Sequence, residues 1–208
     1  MPSSQQGSTA KAALRDALRD APVLWPPTAG AALTEQVLSL VGIPKVATCY
    51  LSYGDEAPTV QLRQAWRDAG VQLMVPLLLP TKELDWVMDD QTFGHTRGFT
   101  NPGGRQFGIQ AITAAEVIVM PAMAVGEDGV RLGQGGGSYD RSLARLPREG
   151  RTIIALAHES RVYASGVLPA ERHDIVVDVI VTPQRVIRCV PRQVQSVTYM
   201  QQHFLDEE

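Results

Sequence analysis

The segment from Arg131 to Asp140, Arg-Leu-Gly-Gln-Gly-Gly-Gly-Ser-Tyr-Asp, carries the residue types best suited to phosphate chemistry. Four glycines fall in the five positions Gly133 to Gly137, behind an arginine and ahead of a tyrosine and a carboxylate. Glycine lets backbone N–H groups turn toward an anion and lets a phosphate approach closely. Arg131 supplies a fixed, planar positive charge, and Asp140 a hard oxygen ligand suited to Mg²⁺. Ser138 to Leu146 reads as a helix with Tyr139, Leu143 and Leu146 on one face, so the loop runs into a helix N-terminus, where anions are favoured. This is not a P-loop, because Ser138 and Tyr139 follow Gly137, nor a dinucleotide loop, because Ser138 stands where that pattern needs glycine. The alternative is a surface turn in which Asp140 only complements the helix dipole.

The elements that position this loop follow from periodicity. Lys11 to Ala21 reads as a helix with Ala13, Leu14, Ala17, Leu18 and Ala21 on one stripe. Thr28 to Leu40 reads as a second helix ending near Gly42, and Pro58 to Ala69 as a third, with Pro58 in its first turn and Gly70 closing it. Short apolar runs at Val46–Leu51, Val71–Leu79, Glu116–Met120, Arg151–Ala157 and Asp174–Val181 read as strands, with further strands at Leu84–Met88 and, at an edge, Arg185–Val190. Thr92 to Gly108 reads as a Gly/Pro-rich loop. Strands alternating with helices imply an α/β fold with a mostly parallel sheet covered on both faces. Ligands in such sheets sit beyond the strand C-terminal ends. Glu56, the Arg131–Asp140 loop and Asp174 all lie near strand ends.

The 208 residues suit a single domain, and 44% hydrophobic residues suffice for a substantial core. A net charge of −3, with no basic block, gives no reason to expect nucleic acid. The most apolar run, Val71 to Pro80, is too short to span a bilayer, so no membrane association is expected. Met1 to Thr9 lacks the pattern of a secretory signal. Cys49 and Cys189 lie far apart in apolar surroundings and read as buried free thiols in a reducing cytoplasm.

Four stretches together resemble the 5-formyltetrahydrofolate cyclo-ligase (methenyltetrahydrofolate synthetase) family. They are Lys11-Ala-Ala-Leu-Arg15, Leu51-Ser-Tyr-Gly-Asp-Glu56, the loop Arg131 to Asp140, and Leu168-Pro-Ala-Glu-Arg-His-Asp174 followed by Asp178. The resemblance runs from about Lys11 to about Ile187. It implies a single three-layer α/β/α domain over residues 11–190, with a flexible N-terminus at 1–10 and a tail of unassigned role at 191–208. It implies an ATP- and Mg²⁺-dependent ligase that converts 5-formyltetrahydrofolate into 5,10-methenyltetrahydrofolate, ADP and phosphate, in the cytoplasm, as a monomer or weak homodimer. By the same resemblance Lys11, Arg15 and Arg131 contact ATP, together with Gly133, Gln134, Gly135, Gly136, Gly137, Ser138 and Tyr139. Asp140 and Asp174 match the Mg²⁺ positions, and Arg131 and Asp140 carry the catalytic role. Leu51, Glu56 and the loop from Gln134 to Ser138 match folate-contacting positions. A carboxylate such as Glu56 suits the donor-rich edge of a pterin.

Each residue also has a plainer reading. Lys11 and Arg15 fit a solvated helix face, Glu56 a charge at a helix start, and Asp174 a turn. His173 fits a structural neighbour rather than a base. The sequence departs from the family at Ser138, where a tyrosine is common, and at Gln134 and Gly136, where some members carry basic residues. After Phe107-Gly-Ile-Gln110, Ala111 and Ile112 stand where a Pro and a Glu are usual. Two other functions stay open: a non-catalytic folate-binding protein of this fold, and a sugar-phosphate isomerase-like enzyme that uses the loop for a substrate phosphate.

Overall fold

The computed structural model describes residues 4–96, 99–147, 149–171 and 174–190. In chain order the first elements are α1 (Ser4–Arg19), α2 (Ala29–Val41), β1 (Val46–Thr48), α3 (Val60–Asp68), β2 (Gln72–Leu78) and β3 (Leu84–Met88). Then come β4 (Phe93–Thr96), β5 (Phe99–Pro102), β6 (Val117–Pro121), β7 (Ala124–Gly126) and β8 (Arg131–Leu132). The last are α4 (Ser138–Leu143), β9 (Thr152–Leu156), β10 (Val162–Tyr163), β11 (Val179–Val181) and β12 (Val186–Arg188).

Seven strands form one sheet in the order β12-β11-β9-β6-β1-β2-β3. The four inner pairings are parallel, and the two edge strands β3 and β12 run antiparallel. Successive residues of the central strands feed opposite faces. Val117 and Val119 of β6 join Leu33, Val37, Leu62 and Trp66 of α2 and α3 in one core. Ile118 and Met120 face the other way, against Trp86, Leu143, Leu146 and Ile112, the last in a 3₁₀ turn at Ala111–Ala114. Burial on both sides explains why these strands read as unbroken apolar runs. The second outer layer also holds the small sheet β10-β7-β8, on which α1 packs through Leu14 and Leu18.

Several expected boundaries move. The helix expected from Lys11 begins at Ser4, so most of the segment expected to be flexible at 1–10 is helical. The expected alanine stripe is not its buried face: Ala13, Ala17 and Ala21 are exposed, whereas Lys11 and Leu18 are buried and Leu14 and Arg15 half-buried. A methyl group gains only about 0.8 kcal/mol on burial. A hydrogen bond to a charged partner gains about 1.5–3 kcal/mol, so the charged contacts described below set the helix rotation. Pro58 lies outside α3, which starts at Val60; Thr59 precedes it and donates its hydroxyl to the Tyr50 carbonyl (2.8 Å), securing the loop instead of capping the helix. The Thr92–Gly108 segment contains the β4–β5 hairpin. The strand expected over Asp174–Val181 pairs only from Val179, because Asp174 turns to Lys11 and the Val177 N–H bonds the Gly129 carbonyl (2.9 Å). The tail at 191–208 and His173 lie outside the described residues.

One buried charge cluster fastens α3 to the end of β3. Arg63 Nε and Nη2 donate to the two Asp89 oxygens at 2.8 and 2.7 Å, and Arg67 Nη1 adds a contact at 2.5 Å. The Asp89 side chain is 0% exposed. Removing one member of such a cluster strands the others without water. Asp89→Ala is expected to lower stability by about 3–5 kcal/mol, read as a shifted denaturant midpoint; a loss within experimental error would show that solvent reaches the two arginines.

Candidate functional site

A cleft of about 410 Å³ opens beyond the C-terminal ends of β1, β6 and β9. Along one wall runs α1, which presents Ser8, Lys11, Arg15 and Leu18 at intervals of three and four residues, a single helical stripe. The floor is the segment from Gly133 to Asp140. Asp55 and Glu56 close the side above β1, and Trp25, His158 and Arg161 close the side above β9.

Two arginines clamp the glycine loop. Arg15 Nε donates to the Gly133 carbonyl at 2.7 Å. Arg141 Nη2 donates to the Gly136 carbonyl at 2.8 Å and to the Lys82 carbonyl at 2.7 Å, tying the loop to the β2–β3 turn. The loop needs glycine at Gly135 (φ +100°) and Gly137 (φ +66°), which adopt a backbone that other residues enter at a cost. Among the described residues, the N–H groups of Gln134 to Gly137 have no backbone acceptor. They are available to an anion, as a phosphate-cradling loop requires. The following helix α4 covers only six residues, fewer than the stretch to Leu146 expected to be helical. The loop amides and the arginines therefore carry the anion-binding capacity more than a helix dipole does.

Arg131 lies beneath the loop, with its side chain 5% exposed. Its Nη2 sits 3.2 and 3.3 Å from the Asp140 oxygens, and its guanidinium lies 5.9 Å from the centroid of the Tyr139 ring. The Tyr139 hydroxyl is buried with no hydrogen-bond partner among the described residues. Burial raises its pKa far above the ordinary value of 10.0, so it stays a neutral hydroxyl.

At the other end of the α1 stripe, Lys11 Nζ meets three carboxylate oxygens: Glu171 Oε2 at 2.7 Å, Asp174 Oδ1 at 2.7 Å and Asp174 Oδ2 at 2.6 Å. Asp140 is close by, because its Oδ1 accepts from the Ile175 N–H at 3.4 Å. Asp140 and Asp174 thus stand side by side although 34 positions apart in the chain. A cation already sits on Asp174, which shows that the donor set suits one. Among the described residues, no group of three or more His, Cys, Asp or Glu is arranged to hold a metal ion. Two carboxylates completed by phosphate oxygens and water match the way Mg²⁺ is usually bound.

Glu56 faces this charged floor from a drier wall. Burial pushes its carboxyl up to about 7 from 4.5, against the Tyr53 N–H that donates to it at 3.0 Å, while the neighbouring Asp55 charge adds to the rise. Leu51 is half-buried and lies outside the residues that line the cleft. Ile112 is fully buried in the core and Phe107 packs against it, so the departures after Gln110 fall in the core rather than on the cleft wall.

Sequence reasoning missed the wall above β9. His158 follows the end of β9, the position where parallel sheets place ligands, and that signal was legible. Its Nδ1 lies 2.8 Å from Ser160 Oγ and accepts from the Ser160 N–H at 3.3 Å. Trp25 packs edge-on against it at 5.1 Å and donates from Nε1 to the Asp55 carbonyl (2.8 Å), joining this wall to the Glu56 loop. Arg161 donates to the carbonyls of Leu18 and Ala21, closing the C-terminal end of α1.

Residues 7–183 match the model of the 5-formyltetrahydrofolate cyclo-ligase family. The chain belongs to this family. It is 29% identical to the 5-formyltetrahydrofolate cyclo-ligase of Escherichia coli over 143 residues, 66% of this chain and 77% of that one. It is 29% identical to the mitochondrial 5-formyltetrahydrofolate cyclo-ligase of Arabidopsis thaliana over 96 residues, 43% of this chain but only 35% of that one. The fold is similar to that of the 5,10-methenyltetrahydrofolate synthetase of Aquifex aeolicus, with a TM-score of 0.66 and 25% identity over 93% of this chain and 98% of that one. Arg15, Arg131 and Asp140 meet at the glycine loop, while Lys11 is held by Glu171 and Asp174.

The raised Glu56 pKa has a consequence for stability. The folded-state value lies above the unfolded one, so this group's contribution is complete below about 4.5 and is lost as pH rises through about 7. The stability of the protein minus that of Glu56→Gln should therefore fall across that window in denaturant titrations. A difference that stays flat or rises with pH would show a well-hydrated Glu56.

Proposed function

We propose that this protein is a 5-formyltetrahydrofolate cyclo-ligase that uses ATP and Mg²⁺ to make 5,10-methenyltetrahydrofolate, ADP and phosphate. One observation carries the reading: a cationic, glycine-rich floor beside paired carboxylates faces a half-buried Glu56 across a single cleft. Triphosphate and pterin have opposite needs, and the two walls supply them separately.

In the reaction the formyl oxygen of the substrate attacks the γ-phosphorus of ATP, and ADP leaves. N10 of the folate then adds to the activated formyl carbon and releases its proton to solvent, the five-membered ring closes, and phosphate leaves with the former formyl oxygen. Phosphoryl transfer asks for alignment and charge neutralisation more than for a protein nucleophile. Arg15, Arg131 and the loop amides would hold the phosphates in line. Asp140 and Asp174 would hold Mg²⁺, which supplies further neutralisation of the phosphate charge. Glu56, as carboxylate, would accept from the adjacent amino and ring N–H donors of the pterin.

We place this activity in the cytoplasm, in a monomer or weak homodimer. The free thiols support a reducing compartment: burial raises both Cys49 and Cys189 to about 12, which leaves them unreactive. No helix among the described residues is long and apolar enough to cross a membrane.

The direct test adds the purified protein to 5-formyltetrahydrofolate with MgATP and follows methenyl-folate absorbance, with ATP or Mg²⁺ omitted as controls. Binding without turnover would favour the non-catalytic folate-binding reading. Two variants test the assignment of the walls. A Cβ at Gly133 would stand 2.3 Å from Arg131 Nη1, so Gly133→Ala must displace the arginine fork. It should raise the KM for ATP by about tenfold, roughly 1.4 kcal/mol, and leave folate affinity nearly unchanged. A larger loss for folate than for ATP would remove Arg131 from the phosphate site. Folate affinity should itself weaken as pH falls below about 7, because Glu56 is then protonated and presents a donor to donors. Glu56→Gln should bind folate weakly and flatten this profile; an unchanged profile in the variant would assign the pH dependence elsewhere.

A further inference from the structure

Lys11 and Asp174 cannot perform their expected roles while bonded to each other. The ammonium has three N–H donors, and three carboxylate oxygens of Glu171 and Asp174 lie within 2.7 Å of it. Its side chain is 7% exposed, so water does not replace these partners. A lysine so engaged has no donor left for a phosphate, and its positive charge on both Asp174 oxygens opposes the approach of a metal ion.

We propose that Lys11 is a placeholder cation, which occupies the carboxylates until a divalent ion takes Asp174 and is then released to the nucleotide phosphates. This rests on the reading of Asp174 as a Mg²⁺ ligand. The physical need is plain. Asp174 and Glu171 are 11% and 17% exposed, and two such carboxylates without a cation would repel each other. Lys11 supplies that cation in the free protein. It also stands one helical turn from Arg15, whose Nε is on the glycine loop, so the released ammonium has the loop within reach of its flexible stem.

The exchange couples the two ligands. Mg²⁺ alone must expel an ammonium that gains no new partner, so it binds weakly. Nucleotide alone must pull the ammonium from two carboxylates, which is also unfavourable. Bound together, the metal takes the carboxylates and the phosphates take the ammonium, and each ligand raises the affinity for the other by the same factor. Lys11 is thus a positioning residue whose first partner is the metal site itself.

Calorimetric titration of Mg²⁺ alone, of a non-hydrolysable ATP analogue alone, and of both together tests this on the full chain, Lys11→Met and Asp174→Asn. Lys11→Met should bind Mg²⁺ without nucleotide at least about tenfold more tightly than the wild type, and the analogue more weakly, because the placeholder and the phosphate cation are the same group. The synergy between metal and analogue should fall below that of the wild type, to the part that direct metal–phosphate coordination supplies. A Lys11→Met protein that binds metal alone no more tightly than the wild type, or that keeps the full wild-type synergy, overturns the proposal. A lysine with only a structural role would weaken both ligands together, which also overturns it. Should Lys11→Met fail to fold by circular dichroism, Lys11→Gln, which keeps one donor for the carboxylates, carries the same test. Asp174→Asn separates the two readings. If it leaves metal binding in the presence of the analogue unchanged, Asp174 is not a ligand and the metal reading falls together with the proposal. If it weakens that binding while Lys11→Met does not tighten metal binding, only the placeholder role falls.

Discussion

A cleft that sets carboxylates beside lysine and arginine out of reach of bulk water must balance its buried charges within the fold. The contact of Lys11 with Glu171 and Asp174 meets this constraint, and much of the site depends on it. It fastens α1 across the mouth of the fold, and the same rotation of α1 brings Arg15 onto the Gly133 carbonyl and Leu18 into the small apolar cluster. A buried ion costs several kcal/mol in desolvation unless it is paired and hydrogen-bonded, which exceeds what a few alanine methyls can gain. The charged stripe of α1 therefore faces inward and its alanines face water.

The sheet supplies the frame on which this balance is built. Strands β1, β6 and β9 run parallel, so their C-terminal ends open on the same side. The chain leaving each end departs from the main sheet and can carry function. After β1 it carries Glu56, after β6 it leads by β7 and β8 to the glycine loop, and after β9 it carries His158. Both faces of these strands are packed with branched side chains, so the ends are rigid platforms and the loops on them are held by side-chain bonds. Thr59 to the Tyr50 carbonyl, Arg141 to the Gly136 carbonyl and Trp25 to the Asp55 carbonyl are three such bonds.

The two sides of the cleft differ in polarity in a way that matches the chemistry of the family. On the floor, arginine, lysine, free loop amides and carboxylates provide a setting in which phosphate charge can be held and moved. On the Glu56 wall, burial outweighs the single backbone N–H that stabilises the carboxylate. A carboxyl poised between its two protonation states responds strongly to a ligand that offers adjacent donors. The Tyr139 ring lies on the Arg131 guanidinium at the floor, and its buried hydroxyl has no partner among the described residues.

The sequence by itself determined the fold class, the parallel core strands, the glycine loop with Arg131 and Asp140, and the separate stretches that belong to one family. These are local properties: period, turn chemistry, and residue types at short spacing. It also marked Glu56 and Asp174 by their places near strand ends, and Lys11 and Arg15 only through resemblance, since an isolated helix gives no reason to turn Lys11 inward. The tertiary structure decided what chain separation concealed. It set Asp174 beside Asp140, put Lys11 between Glu171 and Asp174, lengthened α1 back to Ser4, and built a wall from Trp25, His158 and Arg161. It also moved Leu51 off the cleft lining and put Ile112 into the core. Each of these outcomes depends on pairing buried charges or filling apolar volume between segments far apart in the chain, and no local pattern encodes which distant partner a charge will find.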